Sequence, residues 1–502
     1  MLFLAPTLSW ADDVVARPTD DLDAIIADTP DSILAPWAHT IWLVPGDYVG
    51  AFVVDDEVLT LRAVVPGTVF LRAAPGQTEP VVRVQGGSHL ALEGVVVSPG
   101  PYSIGVDVEA SAALTLLRMA FYTTEASPTL LSTASTRDLQ IAGSRFIGGS
   151  ATTEGGHILH TGSGTLMLER VHFEGGSATS GGCIRSTGGP ISVDRTLFDG
   201  CTAAVDGGAI HKDAGGRVDI VRSAFRDSSA GGWGGALYVH VDADISLSTV
   251  CGNTAGHAGG GLDWYGPLAN ALTITNTAFL DNQALTANDW GAAIRAATDR
   301  NVAIAVRSSS FARNSGSDVG TFYSSANPPG SVTLEGLEVE TSTTTLYDLA
   351  SQASTPVTFT TSNFWPDPYV GSPFWPGGTS ITNDPRAYTT AQGTCDLGSV
   401  DVGTGAFGAG GLEDSDGDGY YVPFDCDDTS SAVHPGVLQD VGCDGRDDDC
   451  DGLVDEDSTG TPLFLDADGD GLGDDTWILD ICTAEGPLLV DVAGDCDDTD
   501  AD

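Results

Sequence analysis

Basic residues are scarce in this chain of 502 residues: 20 Lys and Arg stand against 70 Asp and Glu, a net charge of −50. Lysine is almost absent, with Lys212 the one clear case. A field of this sign repels phosphate backbones and anionic membranes, which argues against nucleic acid as a partner and for multivalent cations. Long apolar runs are also missing. No stretch of about eighteen apolar residues occurs, so no transmembrane segment is expected. Helical periodicity is rare, and 64 glycines and 25 prolines fit a β architecture with many turns. A 41% hydrophobic content is enough for a sizeable core, and the length suggests two or more domains.

The charge is uneven. Residues 396–502 hold 31 of the 70 acidic residues and one basic residue, Arg446, so about a fifth of the chain carries a net −30. Six of the nine cysteines, Cys395 at the edge of this acidic part and Cys426, Cys443, Cys450, Cys482 and Cys496 within it, are ones an exported protein would use as disulfides whose connectivity spacing does not reveal. Residues 1–11 are apolar and give way abruptly to Asp12 and Asp13. They look like the end of a signal peptide cleaved after Ala11, and the missing basic region before it suggests a start further upstream. These features predict a secreted or outer-surface, extracellular protein.

The larger part repeats. Phe121, Phe146, Phe173, Phe198 and Phe225 recur mostly at steps of 25 to 27 residues, and the register continues through Val250, Phe279 and Phe311. A second marker keeps step with them: Gly155-Gly-His-Ile158, Gly181-Gly-Cys-Ile184, Gly207-Gly-Ala-Ile210, Gly234-Gly-Ala-Leu237, Gly259-Gly-Gly-Leu262 and Gly291-Ala-Ala-Ile294. Two markers in phase mean a repeat architecture of short alternating strands, in which stacking buries what one unit cannot. These repeats resemble right-handed parallel β-helix proteins of the pectate-lyase-like class, especially the polymorphic outer-membrane protein type with its Gly-Gly-Ala-Ile and Phe-x-x-Asn elements. The second element is intact in Phe279-Leu-Asp-Asn282 and Phe311-Ala-Arg-Asn314 and degenerate at Phe146 and Phe173. The resemblance covers roughly residues 40–340. It implies an all-β fold, a right-handed single-stranded parallel β-helix, with Leu22–Ile26 as a short capping helix and Thr40–Tyr48 as the first rung.

By alternation from the buried Ile or Leu, the residue after each glycine marker points outward. Successive rungs then present Leu159, Arg185, His211, Tyr238, Asp263 and Arg295, with Trp233, Trp264, Tyr265 and Trp290 nearby. Aromatic faces between charged donors suit the apolar faces and hydroxyls of sugars, so Arg185, His211, Tyr238, Asp263, Trp264 and Arg295 form a candidate glycan-contact face. The alternative is an ordinary solvated face whose tryptophans cover the glycine turns. His157, His160 and His172 are expected as surface histidines on different rungs or faces. Many β-helix proteins are polysaccharide lyases or glycoside hydrolases. Here Asp206, Asp219, Asp242, Asp244 and Asp263 stand as isolated acids without a clustered motif, and no catalytic residue is assigned.

The acidic part reads as a chelator. Asp414-Ser-Asp416-Gly-Asp418-Gly419-Tyr420 through Asp425 has carboxylates at positions 1, 3, 5 and 12, a turn glycine at 6 and a carbonyl at 7, the arrangement of an EF-hand-type calcium loop. Two further copies carry Asp447, Asp449, Asp451 and Asp455, and Asp466, Asp468, Asp470 and Asp474. Without flanking helices these are nearer the thrombospondin type 3 pattern, and an extended, metal-threaded string is expected. Asp425-Cys-Asp-Asp428, His434-Pro-Gly436 and Cys443 through Glu456 resemble the MopE-type metal-binding repeat of exported bacterial proteins. A further copy opens at Asp495-Cys-Asp-Asp498 and stops at Asp502, as though the chain were a piece of a longer one. The MopE resemblance implies copper, whereas all-oxygen sites and oxidised cysteines favour Ca²⁺.

The expected organisation is therefore a signal peptide remnant over 1–11, a β-helix with its N-terminal cap over 12–362, a last irregular rung and linker over 363–411, and Asp-rich metal-binding repeats over 412–502. The expected function is a non-enzymatic calcium-binding surface protein whose β-helix presents a binding face, for adhesion or for an extracellular polysaccharide or other cell-surface ligand. The alternatives are a secreted polysaccharide lyase or glycoside hydrolase with a calcium-binding appendage, and a copper-binding surface protein.

Overall fold

The computed structural model describes residues 14–28, 39–122, 131–151, 154–266, 271–286, 291–298 and 302–316, and shorter stretches within 319–381 and 415–495. The leader over 1–11, Trp290, Cys395 and Cys496 lie outside the described residues. So do Asp414, Tyr420, Asp449, Asp451 and Asp468.

The chain coils into a parallel β-solenoid. One sheet has 26 strands, a second has 12 and a third has 5, with neighbours in each sheet coming from successive coils. A rung runs along the first sheet, bends, returns to it, crosses the short third sheet and enters the second through the glycine marker. The bend has a recurring backbone signature: Arg118, Arg170, Arg195 and Arg222 all adopt left-handed φ values between 46° and 52°. Each such residue costs about 1–2 kcal/mol. Outward-facing ion pairs between rungs offset part of it, as in Arg222 Nε and Nη2 to the two oxygens of Asp194 at 2.8 and 2.7 Å.

Register explains the phenylalanine period. Phe121, Phe146, Phe173, Phe198 and Phe225 are paired neighbours on successive coils. Their rings stack with centroids 4.5, 4.9, 4.8 and 4.6 Å apart inside the core. The glycine markers are turns. Gly207 has a φ of +66°, and a β-carbon on Gly208 would run into the carbonyl of Gly235 on the next rung, so neither position admits a side chain.

The start is capped. Helix Leu22–Asp28 buries Leu22 and Ile26 in the core, and Asp21 Oδ1 accepts the Ala24 N–H at 3.2 Å as its N-cap. Strand Val14–Ala16 pairs with residues 41–43, so one strand precedes the expected first rung.

The C-terminal region departs from the expected extended string. Thr461–Leu465 pairs antiparallel with both Ile478–Ile481 and Leu489–Val490. Leu463 and Leu489 pack against Trp42, Val64 and Val65 on the outside of the first coils. Apolar side chains between the acidic loops thus bury themselves against the solenoid, which a solvated string could not provide. Disulfides Cys426–Cys450 and Cys443–Cys482 staple this region, and Cys183–Cys201 closes a loop within the solenoid.

Candidate metal centre and ladder face

Three carboxylates converge in the acidic region. Ligand oxygens of Asp416, Asp418 and Asp425, at positions 3, 5 and 12 of the first loop, all lie within 4.8 Å of one another. Oxygens spaced this way can reach one ion at the 2.3–2.6 Å typical of calcium. Local backbone bonds hold the bends: the Asp418 N–H donates to Asp416 Oδ1 at 3.2 Å, and the Asp427 N–H to Asp425 Oδ1 at 2.8 Å. The Cys426–Cys450 bridge ties the residue after Asp425 to the second loop. Three anions so close repel one another unless a cation sits between them, and the all-oxygen donor set suits a hard one.

The third loop is organised by its first residue. Buried Asp466 accepts the N–H groups of Asp470 at 3.1 Å and Gly471 at 3.0 Å, and Gly471, the glycine at position 6, has a φ of +91°. Asp470 is exposed and Asp474 half-buried at the start of a short strand. In the second loop Asp447 is half-buried. Asp455 is buried with both oxygens on backbone, accepting Asp444 N–H at 3.1 Å and Gly445 N–H at 2.8 Å. Asp440, which the sequence reading passed over, does the same for Asp448 and Asp455, both at 2.5 Å. Within this loop system, some carboxylates build the scaffold while Asp416, Asp418 and Asp425 converge on one point. Arg446 is engaged by Asp448, Nε to Oδ1 at 2.5 Å.

On the solenoid, Leu159, Arg185, His211, Tyr238, Asp263 and Arg295 form one unbroken ladder on the second sheet. The ladder is partly covered: Arg185 and His211 are 6% and 7% exposed and Asp263 is 0% exposed. Trp264 is a correction. It is fully buried and its Nε1–H donates to the Val241 carbonyl at 2.8 Å. The residue after outward Asp263 must point inward, and the indole fills the core. His157 and His160 are also buried rather than on the surface: His160 shares the inward parity of Ile158, and His157, just before the strand, lies against the rings of Phe146 and Phe173. Burial lowers both imidazoles to about 4. His172 is half-buried on the first sheet, and burial lowers it to about 3.

Two residues beyond the ladder, a second outward row holds Asp213, His240 and Tyr265, of which the sequence reading singled out only Tyr265; period-two alternation on the same strands would have found the others. Arg185 Nη1 and Nη2 donate to the two oxygens of Asp213 at 3.0 and 2.7 Å. Arg295 Nη1 reaches both oxygens of Asp263 at 3.0 and 2.7 Å. His211 and Arg185 hold Asp213 well below the ordinary carboxylate range, whereas burial lifts Asp263 to about 6 against the pull of Arg295. Burial and neighbouring His211 lower His240 to about 4. The rings run in contact, His211 to Tyr238 at 4.5 Å, Tyr238 to His240 at 4.3 Å and His240 to Tyr265 at 5.1 Å.

The architecture is thus a parallel β-solenoid with a disulfide-stapled, Asp-rich region folded onto its first coils. Residues 425–456 match the family model of the MopE copper-binding type, a metal-binding motif. No curated protein matches the chain. Among solved structures, the A-module of the mannuronan C-5 epimerase AlgE6 of Azotobacter vinelandii is similar over 69% of this chain and 96% of that one, at 14% identity and a TM-score of 0.34. A likeness at that level carries no argument about activity; the solenoid rests on the strand register.

Proposed function

We propose that this is an extracellular, non-enzymatic calcium-binding protein whose solenoid offers its ladder face to a glycan. The observation that carries the calcium part is the convergence of Asp416, Asp418 and Asp425 on one point in a region of net −30. The Asp466 loop, with its turn glycine in place, supports a second ion site. The disulfides fit an oxidising, extracellular setting. A second reading, copper, is favoured by the name of the matched motif. Against it stands the donor set: His434 is the one imidazole between residues 396 and 502, and Cys426, Cys443, Cys450 and Cys482 are oxidised.

The metal part is tested by calorimetric titration of the D416N/D418N/D425N variant beside the parent chain. Loss of at least one calcium equivalent supports the assignment, and an unchanged stoichiometry refutes it. For the glycan part, W233A/Y238A removes the exposed indole and the central ring of the face. If both proteins bind the same oligosaccharides equally, the ladder is not the contact.

A further inference from the structure

The ladder face carries two arginines, and both guanidinium charges are met on the spot. Arg295 is held by Asp263, and Arg185 by Asp213 with Glu154 also 3.3 Å away. Buried Asp206 adds a further carboxylate, with its Oδ1 accepting the Trp233 N–H at 2.8 Å. Carboxylates outnumber guanidiniums among these groups, in a chain of net −50. A sugar bearing a carboxylate or sulfate would enter a site with an excess of negative charge, and it would have to displace a two-toothed ion pair to find a cation. A neutral sugar faces neither cost. Its apolar faces can lie on Tyr238 and on Trp233, which is 39% exposed beside His257, and its hydroxyls can bond to ion pairs already fixed in place.

We infer that this face selects neutral glycans, and that the pairs Arg295–Asp263 and Arg185–Asp213 are what exclude acidic ones. The inference rests on the glycan reading above and adds the class of sugar.

The test is calorimetry of the full chain in chelator, so that calcium cannot bridge an acidic sugar to the Asp-rich loops. The probes are a panel of neutral oligosaccharides, β-1,4-glucan, xylan, mannan and galactan fragments, beside oligogalacturonate and oligomannuronate of equal length. The expected result is binding within the neutral set that is lost in Y238A, with uronates weaker by roughly tenfold or more. Uronates binding as well as or better than every neutral probe would overturn the inference and leave the glycan reading standing. Binding of neither set would sink the glycan reading itself. The near-isosteric variants D263N and D213N each release one arginine from its carboxylate. The ratio of uronate to neutral affinity should then rise by roughly tenfold, the change expected of one uncovered charge near a protein surface. If both variants fold, judged by circular dichroism, and neither raises that ratio, the charge-pair argument is wrong.

Discussion

Lys212 shows how much one residue can organise. Its side chain lies wholly inside the solenoid, with Nζ donating to the carbonyls of Gly188 and Gly189 at 2.8 and 2.7 Å and to Ser186 Oγ at 3.1 Å. Ser186 Oγ is 3.1 Å from His160 Nδ1, and His160 Nε2 is 3.0 Å from the Gly164 carbonyl, so the hydroxyl donates to one ring nitrogen while the other donates onward. His160, Ser186 and Lys212 are register neighbours, making an internal polar chain across three coils. Burial lowers the ammonium to about 8. Lys212→Met keeps the volume and removes the donor, and we predict a loss of about 2 kcal/mol by denaturant unfolding; an unchanged midpoint would show that the chain of bonds is idle. The same chain makes the protein acid-sensitive. A buried imidazole near 4 when folded and near 6.5 when unfolded lets the unfolded state take up the proton first, so stability is whole above about 6.5 and is lost as pH falls toward about 4. Asp263, raised when folded, acts in the opposite sense between about 6 and 4, but His157 and His160 outnumber it. We predict a falling melting temperature from about pH 7 to about pH 4.5, shallower in His160→Gln; a flat profile would contradict the assignment. None of this was legible in sequence, because a histidine and a lysine read as surface residues until the inward register of Ile158 and Ile210 is applied one step further.

At the scale of the rung, stability comes from identical residues meeting themselves. Phe198 stacks between Phe173 and Phe225, and Phe198→Ala is expected to cost about 3–5 kcal/mol and to lower the melting temperature of the whole solenoid. Asn253, Asn282 and Asn314 form a second internal ladder, with the Nδ2 of Asn253 and of Asn282 donating to the next Oδ1 at 3.0 Å and all three donating to a carbonyl of the preceding coil. The period and both markers were readable because a solenoid repeats its steric demands: aromatic inside, glycine where one coil presses on the next. The left-handed bends were not, since arginine, leucine, asparagine and serine all occupy them and no residue type announces the conformation. The outward ladder was placed correctly in register, while Trp264 failed because its exposure was inferred from aromatic chemistry rather than from parity.

For the whole molecule, the consequential feature is the return of the C-terminal region to the first coils. Trp42, an outward residue of strand His39–Leu43, is 5% exposed and packs with Leu463 and Leu489. The sequence could show the acidic loops and not this contact, because nothing local links residues 42 and 463. The Asp466 loop connects the paired strands Thr461–Leu465 and Ile478–Ile481, so an ion there would close the hairpin that docks. Leu463→Asp should loosen the dock and expose the segment after residue 411 to protease while the solenoid resists digestion; a parent-like digestion pattern would show that the contact contributes little. The central claim is that the acidic loops are calcium sites, and calorimetric titration of the full oxidised chain with calcium, copper(II) in parallel, tests it most directly. The account predicts saturable binding of more than one calcium ion, a smaller hydrodynamic radius as the repulsion of the acidic region is neutralised, and weaker uptake of copper. No calcium uptake, or a clear preference for copper, would contradict it.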